Sequence, residues 1–208
     1  MKYAVLTDFN LVTEDIKNGI INLASNLEHL KKNVFISKGF ATRQSANTVE
    51  KLAGEWKVYQ DDRLNGGDGY FAVANLTPDL EQLVIKQIPD CLKHLGKPRI
   101  RLQVLKDFIL FPHVDRGRKT SLFTMITDNR GVDCVFWETT KEHEFFENHL
   151  PDPNLIKEKM RFNVNQGETW LFDHDCIHGT LKKSNDVRVT LNLSYQLTIP
   201  EMLKEIYK

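Results

Sequence analysis

The sequence predicts an α+β fold with a mainly β core, in which N-terminal helices cover one outer face of an antiparallel barrel or double-stranded jelly roll. Two observations predict it. After Pro98, six stretches rich in Val, Ile, Phe, Thr and Leu follow one another, separated by Gly, Asn and Asp, as strands joined by turns are. Before Pro98, helical and strand-like patterns alternate. Strands that follow helices in this way are typical of a layered fold with one core.

Length and composition narrow the class of protein. The chain has 208 residues, which predicts a single domain over 1–208, with a mixed part at 1–98, a β core at 99–198 and a C-terminal helix at 199–208. Hydrophobic residues at 41% and charged residues at 27% exclude extended disorder. Lys plus Arg and Asp plus Glu both total 28, which argues against a strongly basic nucleic-acid binder.

The sequence also predicts the cellular compartment of the protein. The N-terminal apolar run is too short for a signal peptide, and no window approaches the ~20 apolar residues of a membrane span. The three cysteines are odd in number and form no CxxC pair, so neither a disulfide framework nor a thiolate zinc site is expected. We therefore expect a cytoplasmic protein with no membrane partner, in the host cytoplasm if its source is viral.

The N-terminal part begins with a weakly alternating stretch and then a helical one. Residues 14–30 place Ile16, Ile20 and Leu27 on one broad face, which predicts an amphipathic helix. A second helix is predicted at 46–56. The remaining predictions are short strands at 1–9, 33–37 and 70–75 and a turn at 65–69.

A third helix is predicted at 78–95. Thr77 can serve as its N-cap and Pro78 suits the first helical position. Gly96 is expected to end it. Pro89 lies inside this span and removes a backbone donor, so we expect it to kink or split the helix.

The second half of the chain is predicted to consist of strands, with one charged insert between them. The insert, 139–159, is expected to begin as a helix and continue as a Pro-rich loop. A short closing helix is predicted at 200–208. The six strands are predicted at 99–110, 120–127, 132–138, 161–164, 168–172 and 187–197.

The last strand alternates between an apolar and a polar face. The apolar face carries Val187, Val189, Leu191, Leu193, Tyr195 and Leu197, and the polar face carries Arg188, Thr190, Asn192, Ser194 and Gln196. In a barrel, one face meets the outer helices and the other faces the lumen. If the polar face lines the lumen, Arg188 needs an anionic partner, because a buried unpaired charge is costly. A dicarboxylate cosubstrate would supply one through a bidentate contact.

A candidate metal site begins at His113 and Asp115. On an extended chain, residues two apart project to the same side, so these two side chains can bind one cation together. A third ligand must come from elsewhere, and His178 is the best candidate. His174 is the main rival to His178. If it is not a ligand, His174 is expected to be an exposed loop residue or a residue that supports a ligand. Two imidazoles and one carboxylate suit non-haem Fe(II) and leave the opposite coordination face open.

In this order, His113-Val114-Asp115, His178 and Arg188 resemble the HxD…H…R pattern of the Fe(II)/2-oxoglutarate-dependent dioxygenases. The sequence is particularly similar to the aspartyl/asparaginyl β-hydroxylase-like and prolyl-hydroxylase-like branches. The resemblance covers residues 99–196, about half of the chain. It favours His178 over His174 because Gly179 follows His178 and Arg188 lies ten residues further on, as in the family.

The resemblance implies a fold, a cofactor and a reaction. The fold would be a double-stranded β-helix, the jelly roll of cupin-like proteins. Fe(II) would be held by His113, Asp115 and His178, and 2-oxoglutarate would bind the iron through its keto acid and Arg188 through its far carboxylate. With O2, such an enzyme hydroxylates a C–H bond of its substrate and releases succinate and carbon dioxide.

A second contact to the cosubstrate is expected without being identified. If the intervening strand is regular, Arg101 and Gln103 project to the same side as the HxD ligands, although a bulge would break that register. The basic run that follows Asp115 is expected to be a solvated loop, or the mouth of a pocket that attracts an acidic substrate. It consists of Arg116, Arg118 and Lys119. The candidates for the second contact are Arg101, Gln103, Thr124, Asn192 and Ser194.

Two other classes of function stay open at this stage. One is a cupin-like metal protein that is not an oxygenase, such as an isomerase or sensor, with Zn(II) or Mn(II) on the same ligands. The other is an interaction module with a degenerate site. For an oxygenase, the substrate could be a protein side chain, a free amino acid or small metabolite, or a nucleobase, and the zero net charge disfavours the nucleobase. The sequence does not predict an oligomeric state.

Overall fold

The computed structural model of the chain describes residues 3–31, 48–50, 55–59, 70–106, 110, 112–115, 117–128, 131–139, 156–181 and 186–208. Within these residues the structure is mainly β, and every strand pair is antiparallel. In the part of the chain that is described, no helix has the length and apolar character needed to cross a membrane.

The elements follow one another in two halves. The first half contains β1 (Ala4–Thr7), α1 (Glu14–Lys31), β2 (Thr48–Glu50), β3 (Glu55–Tyr59), β4 (Tyr70–Ala74), α2 (Pro78–Lys86) and α3 (Asp90–Lys93). The second half contains β5 (Arg99–Lys106), β6 (Thr120–Met125), β7 (Asp133–Thr139), β8 (Ile156–Phe162), β9 (Thr169–Asp173), β10 (Ile177–Leu181), β11 (Arg188–Tyr195) and α4 (Ile199–Ile206).

The strands form two sheets that pack face to face. The larger sheet has the order β1-β9-β6-β11-β5-β4-β3-β2, and the smaller has the order β10-β7-β8. Phe123 and Phe172 of the larger sheet belong to one buried apolar cluster with Cys134 and Phe136 of the smaller sheet. This shared cluster is the inner layer of a two-sheet sandwich. The prediction of a mainly β core of antiparallel strands is therefore confirmed.

Strand β11 is the centre of the larger sheet, between β5 and β6, and all eight of its residues are buried. Its apolar face, with Leu191 and Leu193, belongs to a second apolar cluster. That cluster also contains Ile16 and Ile20 of α1 and Val84 of α2. The alternation predicted for this strand is confirmed: its apolar side chains enter this cluster, and its polar side chains point towards the smaller sheet.

The predicted third helix is present in two pieces. The Oγ1 atom of Thr77 accepts a hydrogen bond from the backbone N–H of Leu80 at 3.4 Å, so Thr77 is the N-cap of α2. Pro89 separates α2 from α3, as its missing backbone donor predicts. Gly96 follows with a φ of +82°, a conformation that glycine adopts without the steric cost other residues meet.

The prediction of a helix at 46–56 is wrong. This stretch contains β2 and the start of β3, which pair antiparallel with Val49 opposite Trp56, and β3 pairs in turn with β4. Val, Trp and Tyr favour a pleated surface, and pairing with an existing sheet edge outweighs the weak helical propensity of the segment. The strand predicted at 33–37 and the turn at 65–69 lie outside the described residues.

One boundary and one strand also differ from the prediction. The charged insert ends earlier than expected, because β8 already begins at Ile156; residues 140–155 lie outside the described part of the chain. Lys157, Glu158 and Lys159 are exposed residues of this strand, so their charges reflect a solvent-facing sheet and not a loop. Strand β10, which pairs with β7, was not among the six predicted strands and carries His178.

Candidate functional site

The structure brings His113, Asp115 and His178 together. Each offers one ligand atom, and these atoms lie within 4.8 Å of one another. The backbone explains the arrangement: His113 and His178 form an isolated antiparallel bridge, in which each amide donates to the other's carbonyl at 2.9 Å. Asp115 follows two residues after His113, and its own amide donates to the carbonyl of His174 at 3.2 Å. The three side chains are therefore positioned by backbone pairing from two distant segments.

The ring of His178 is oriented by a backbone contact. Its Nδ1 lies 2.8 Å from the carbonyl oxygen of Cys176, which can only accept, so Nδ1 carries the proton. The other nitrogen, Nε2, is left with a free lone pair and lies 3.5 Å from Oδ2 of Asp115. The Nε2 atom of His113 lies 3.7 Å from Oδ1 of the same carboxylate. A histidine with one nitrogen hydrogen-bonded to a carbonyl and the other free is oriented as a metal ligand.

The carboxylate of Asp115 has two strong partners on one oxygen. Oδ2 accepts hydrogen bonds from Nε and Nη2 of Arg118, at 3.0 and 2.5 Å, and lies 2.6 Å from Nδ1 of His174. Burial by itself would raise the pKa of Asp115. Contact with His174 and the charge of Arg118 outweigh burial and hold this pKa far below its usual range. Asp115 is therefore ionised, and Oδ1 is the oxygen turned towards His113.

His174 is buried and supports Asp115. Burial, with the nearby charge of Arg118, lowers the pKa of His174 to about 3, so its ring is neutral. Nδ1 then lies 2.6 Å from Oδ2 of Asp115, and Nε2, 2.7 Å from Oγ of Ser121, accepts from that hydroxyl. Ser121 is fully buried, so this Asp–His–Ser arrangement offers no nucleophile to a substrate. Of the interpretations of His174 made above, the exposed loop residue is wrong.

The three candidate ligands border a cavity of about 90 Å³ between the two sheets. Its wall combines aromatic side chains with a few polar ones, which is usual for a small-molecule site. From the larger sheet it is lined by Phe71, Gln103, Leu105, Phe123, Phe172, Arg188, Thr190 and Asn192, and from the smaller sheet by Cys134, His178, Gly179 and Thr180.

Arg188 lines this cavity as a buried cation. It is 4% exposed, and its guanidinium carbon lies 5.6 Å from the ring centroid of Phe123. Its Nη2 atom contacts Sγ of Cys134 at 3.2 Å, while Nε and Nη1 have no hydrogen-bond partner among the described residues. Buried charges in proteins are normally paired. Among the described residues, this buried guanidinium therefore has two nitrogen donors that are available to an anion.

Two of the five candidates for a second cosubstrate contact line the cavity. Gln103 and Asn192 lie on neighbouring strands, and Nδ2 of Asn192 donates to Oε1 of Gln103 at 3.2 Å. Arg101 is half-buried on the same face of β5 as Gln103, directly opposite Asn192 in the pairing, and it is outside the cavity lining.

The other two candidates have different positions. Oγ of Ser194 accepts from Nη1 of Arg118 at 3.4 Å, so Ser194 supports the partner of Asp115. Thr124 does not line the cavity: it lies on the face of β6 opposite to Phe123, and its Oγ1 is 2.9 Å from Oγ1 of Thr169. The expectation for Thr124 is wrong because the side chains of a strand alternate between its two faces.

Sequence reasoning missed two residues of the site. Arg118 was expected in a solvated loop or at a pocket mouth, but its side chain is only 15% exposed and is held by Asp115. The available signal was its spacing of three residues from Asp115, a carboxylate predicted to be a metal ligand. Thr190 lines the cavity beside Arg188, and the alternation of β11 already placed it on the polar face.

Comparisons with known proteins support the fold. No protein-family model matches the chain, and no curated protein does. Among solved structures it is similar to AviO1 from Streptomyces viridochromogenes, at 12% identity over 94% of this chain and 90% of AviO1, with a TM-score of 0.51. It is also similar to SnoK, a non-haem α-ketoglutarate-dependent carbocyclase of nogalamycin biosynthesis, at 13% identity over 100% of this chain and 87% of SnoK, with a TM-score of 0.49.

A third similar structure is HygX from Streptomyces hygroscopicus, solved with nickel, 2-oxoglutarate and hygromycin B bound. The identity is 12% over 95% of this chain and 84% of HygX, with a TM-score of 0.47. At such identities the similarity is one of fold, and the AviO1 comparison carries it. The chain therefore shares its fold with AviO1, and the structures it is similar to include 2-oxoglutarate-dependent enzymes.

Proposed function

We propose that this chain is an Fe(II)- and 2-oxoglutarate-dependent oxygenase, a single double-stranded β-helix domain over residues 1–208 with helices against the larger sheet. It hydroxylates a protein side chain, a free amino acid or a small metabolite. One observation carries the proposal: the His113, Asp115 and His178 group and the unpaired guanidinium of Arg188 border the same cavity.

The side chains present fit Fe(II). Two imidazoles and one carboxylate are the ligands that non-haem iron oxygenases use, and three protein ligands leave coordination positions open. The protonated Nδ1 of His178 leaves Nε2 free for the metal, and the depressed pKa of Asp115 keeps its carboxylate charged. His113, Asp115 and His178 would therefore hold the ion.

The cavity also fits the cosubstrate. The Nε and Nη1 atoms of Arg188 have no partner among the described residues, so each can donate a charge-assisted hydrogen bond to a carboxylate in the cavity. Thr190 lies on the same face of β11, one pleat further along, and can add a hydroxyl donor. Gln103 and Asn192 supply amide groups on the same wall. We assign the far carboxylate of 2-oxoglutarate to Arg188 and Thr190, with Gln103 and Asn192 as further contacts.

Protein groups would prepare this site in three ways. Arg118 and His174 engage one oxygen of Asp115, so the other, turned to His113, is the one offered as a ligand. The carbonyl of Cys176 orients His178. Phe123 and Phe172 give the cavity an apolar wall, which would strengthen the electrostatic contacts of Arg188. Bound iron and 2-oxoglutarate would supply the oxidising chemistry, with succinate and carbon dioxide as products.

Arg188 also separates this function from a cupin-like isomerase or sensor. Such a protein could use the same three ligands. It binds no carboxylate cosubstrate, so it has no need of a buried guanidinium in the cavity wall. Burying an unpaired charge lowers stability, and a bound carboxylate would offset that cost in the working protein.

The test is an anaerobic titration of the metal-free chain with Fe(II) and then 2-oxoglutarate, followed by visible absorbance. We expect a charge-transfer band of the chelated complex that is lost in His178→Ala and weakened in Arg188→Ala. Thr124→Val is the matched control, because Thr124 lies on the opposite face of its strand, and it should leave the band unchanged. If the folded chain binds metal and shows no band with 2-oxoglutarate, the oxygenase proposal is wrong and the cupin-like alternative replaces it.

A further inference from the structure

Cys134 lies against the unpaired guanidinium of Arg188. Its Sγ is 3.2 Å from Nη2 of Arg188, both side chains line the cavity, and both are buried. Nε and Nη1 of the same guanidinium have no partner among the described residues. A neutral thiol is a weak acceptor, so it leaves the positive charge of Arg188 uncompensated.

We propose that Cys134 is a site of oxidation by peroxide, and that its oxidised side chain pairs with Arg188 and closes the anion site of the cavity. The pairing of the oxidised sulfur with Arg188 follows from the geometry above. The consequence for 2-oxoglutarate rests on the proposed function.

The chemistry needs only hydrogen peroxide as oxidant. The sulfur attacks one peroxide oxygen, the O–O bond breaks, and the products are a sulfenic acid and one water. A second peroxide converts the sulfenic acid to a sulfinic acid and releases a second water. Each step oxidises the sulfur by two electrons and reduces one peroxide. The sulfinic acid loses its proton, and its two oxygens can accept hydrogen bonds from Arg188 as a carboxylate would.

The other two cysteines have different surroundings. Cys91 packs against the apolar cluster under the helices. Cys176 donates a hydrogen bond to a carboxylate oxygen of Asp173 at 3.3 Å, so its charged neighbour is an anion and not a cation. Neither lines the cavity or contacts a cation among the described residues. Cys134 combines access through a cavity with a cationic neighbour that stabilises its charged product.

The first experiment maps oxidation on the full-length chain before iron is added, so that no metal reacts with the peroxide. Peptide mass spectrometry after graded hydrogen peroxide should find two added oxygens on Cys134 at lower peroxide than on Cys91 or Cys176. Arg188→Met should reduce this preference, because the charged product loses its partner. Equal oxidation of the three cysteines, or a preference unaffected by Arg188→Met, would overturn the proposal.

The second experiment imitates the oxidised side chain with Cys134→Asp. Its carboxylate should pair with Arg188, raise the melting temperature, and weaken 2-oxoglutarate binding by about tenfold or more, since a tethered anion competes at high effective concentration. In Cys134→Ser, 2-oxoglutarate affinity should no longer depend on prior peroxide treatment. In the Arg188→Met background, Cys134→Asp should lower the melting temperature, because its carboxylate is then buried alone.

The two proposals fail in different ways. If the untreated chain never binds 2-oxoglutarate, the oxygenase assignment fails, while the peptide masses and the melting temperatures still test the Cys134–Arg188 pairing. If 2-oxoglutarate binds and Cys134→Asp stabilises the chain equally with and without Arg188, the pairing fails and the oxygenase assignment stands.

Discussion

His113 and His178 face each other across an isolated antiparallel bridge, with two reciprocal backbone hydrogen bonds of 2.9 Å and ring centroids 4.4 Å apart. The bridge connects the segment after β5 to strand β10 of the smaller sheet. Both candidate histidine ligands are thus held by main-chain pairing. The relative position of these two candidate ligands is therefore set by backbone hydrogen bonds between two distant segments.

Removing any one of the three candidate ligands should abolish iron-dependent turnover. His113→Ala, Asp115→Ala and His178→Ala each leave two ligands, too few to hold the ion in place. In the wild-type chain, added Fe(II) should raise the melting temperature, because a ligand that binds only the folded state stabilises it. Calorimetry of each variant with and without metal measures this. His94→Ala, at an exposed ion pair, is the control. A single variant that keeps full turnover would remove that residue from the ligand set.

His174 and Arg118 should act as positioning residues for Asp115. We expect His174→Ala and Arg118→Met to weaken Fe(II) binding by about 10- to 100-fold, the usual effect of losing a group that supports a metal ligand. Arg118→Lys should restore part of the affinity, because it keeps the charge and loses the two-nitrogen contact.

The measurement for these variants is a metal titration by calorimetry. Arg161→Met, at an exposed ion pair with Glu158, is the matched control for loss of an arginine. A merely structural role would lower the melting temperature and leave the affinity of the remaining folded protein intact. That result would contradict the positioning role.

Replacing Arg188 should weaken 2-oxoglutarate binding without lowering the stability of the ligand-free chain. Arg188→Met should weaken 2-oxoglutarate binding by about 30-fold or more, since losing one partner of a buried charge pair costs about 2–5 kcal/mol. The ligand-free variant should be no less stable than wild type, because an unpaired buried charge is replaced by an apolar side chain. Binding is measured from the visible band and stability by urea unfolding. An unchanged 2-oxoglutarate requirement would rule out the assigned role of Arg188.

Two threonines on opposite faces of the larger sheet should respond differently to the same substitution. Thr190→Val should weaken 2-oxoglutarate binding, because Thr190 lines the cavity beside Arg188. Thr124→Val should leave binding unchanged and lower the free energy of unfolding by about 1–2 kcal/mol, since the buried hydroxyl of Thr169 loses its partner. Parallel binding and urea-unfolding measurements give both values. Equal effects of the two variants on binding would mean that the cavity wall is assigned incorrectly.

Much of the site could be predicted from local patterns. The two-residue spacing of His113 and Asp115 and the alternation of β11 are properties of an extended chain, so they placed two candidate ligands together and Arg188 on the polar face. The split of the third helix followed from Pro89 in the same way. These features depend on geometry that repeats every few residues, and a sequence displays such geometry directly.

Other features depended on which segments meet. The stretch 46–56 has an ambiguous local pattern, and pairing with β4 made it a hairpin. Strand β10 is short, and its pairing with β7 and with His113 defines it. The packing of distant segments brings Arg118 and His174 to Asp115. The same packing leaves Nε and Nη1 of Arg188 without a partner among the described residues.

The sequence by itself determined which residues are able to bind a metal and an anion, because residue type and short-range periodicity are local properties. Only the tertiary structure decided that His178 approaches Asp115 with a free nitrogen, that His174 supports that carboxylate from a buried position, and that Thr124 faces away. The physical reason is that hydrogen-bond partners and burial are set by contacts between distant segments. Such contacts form only when the two sheets pack.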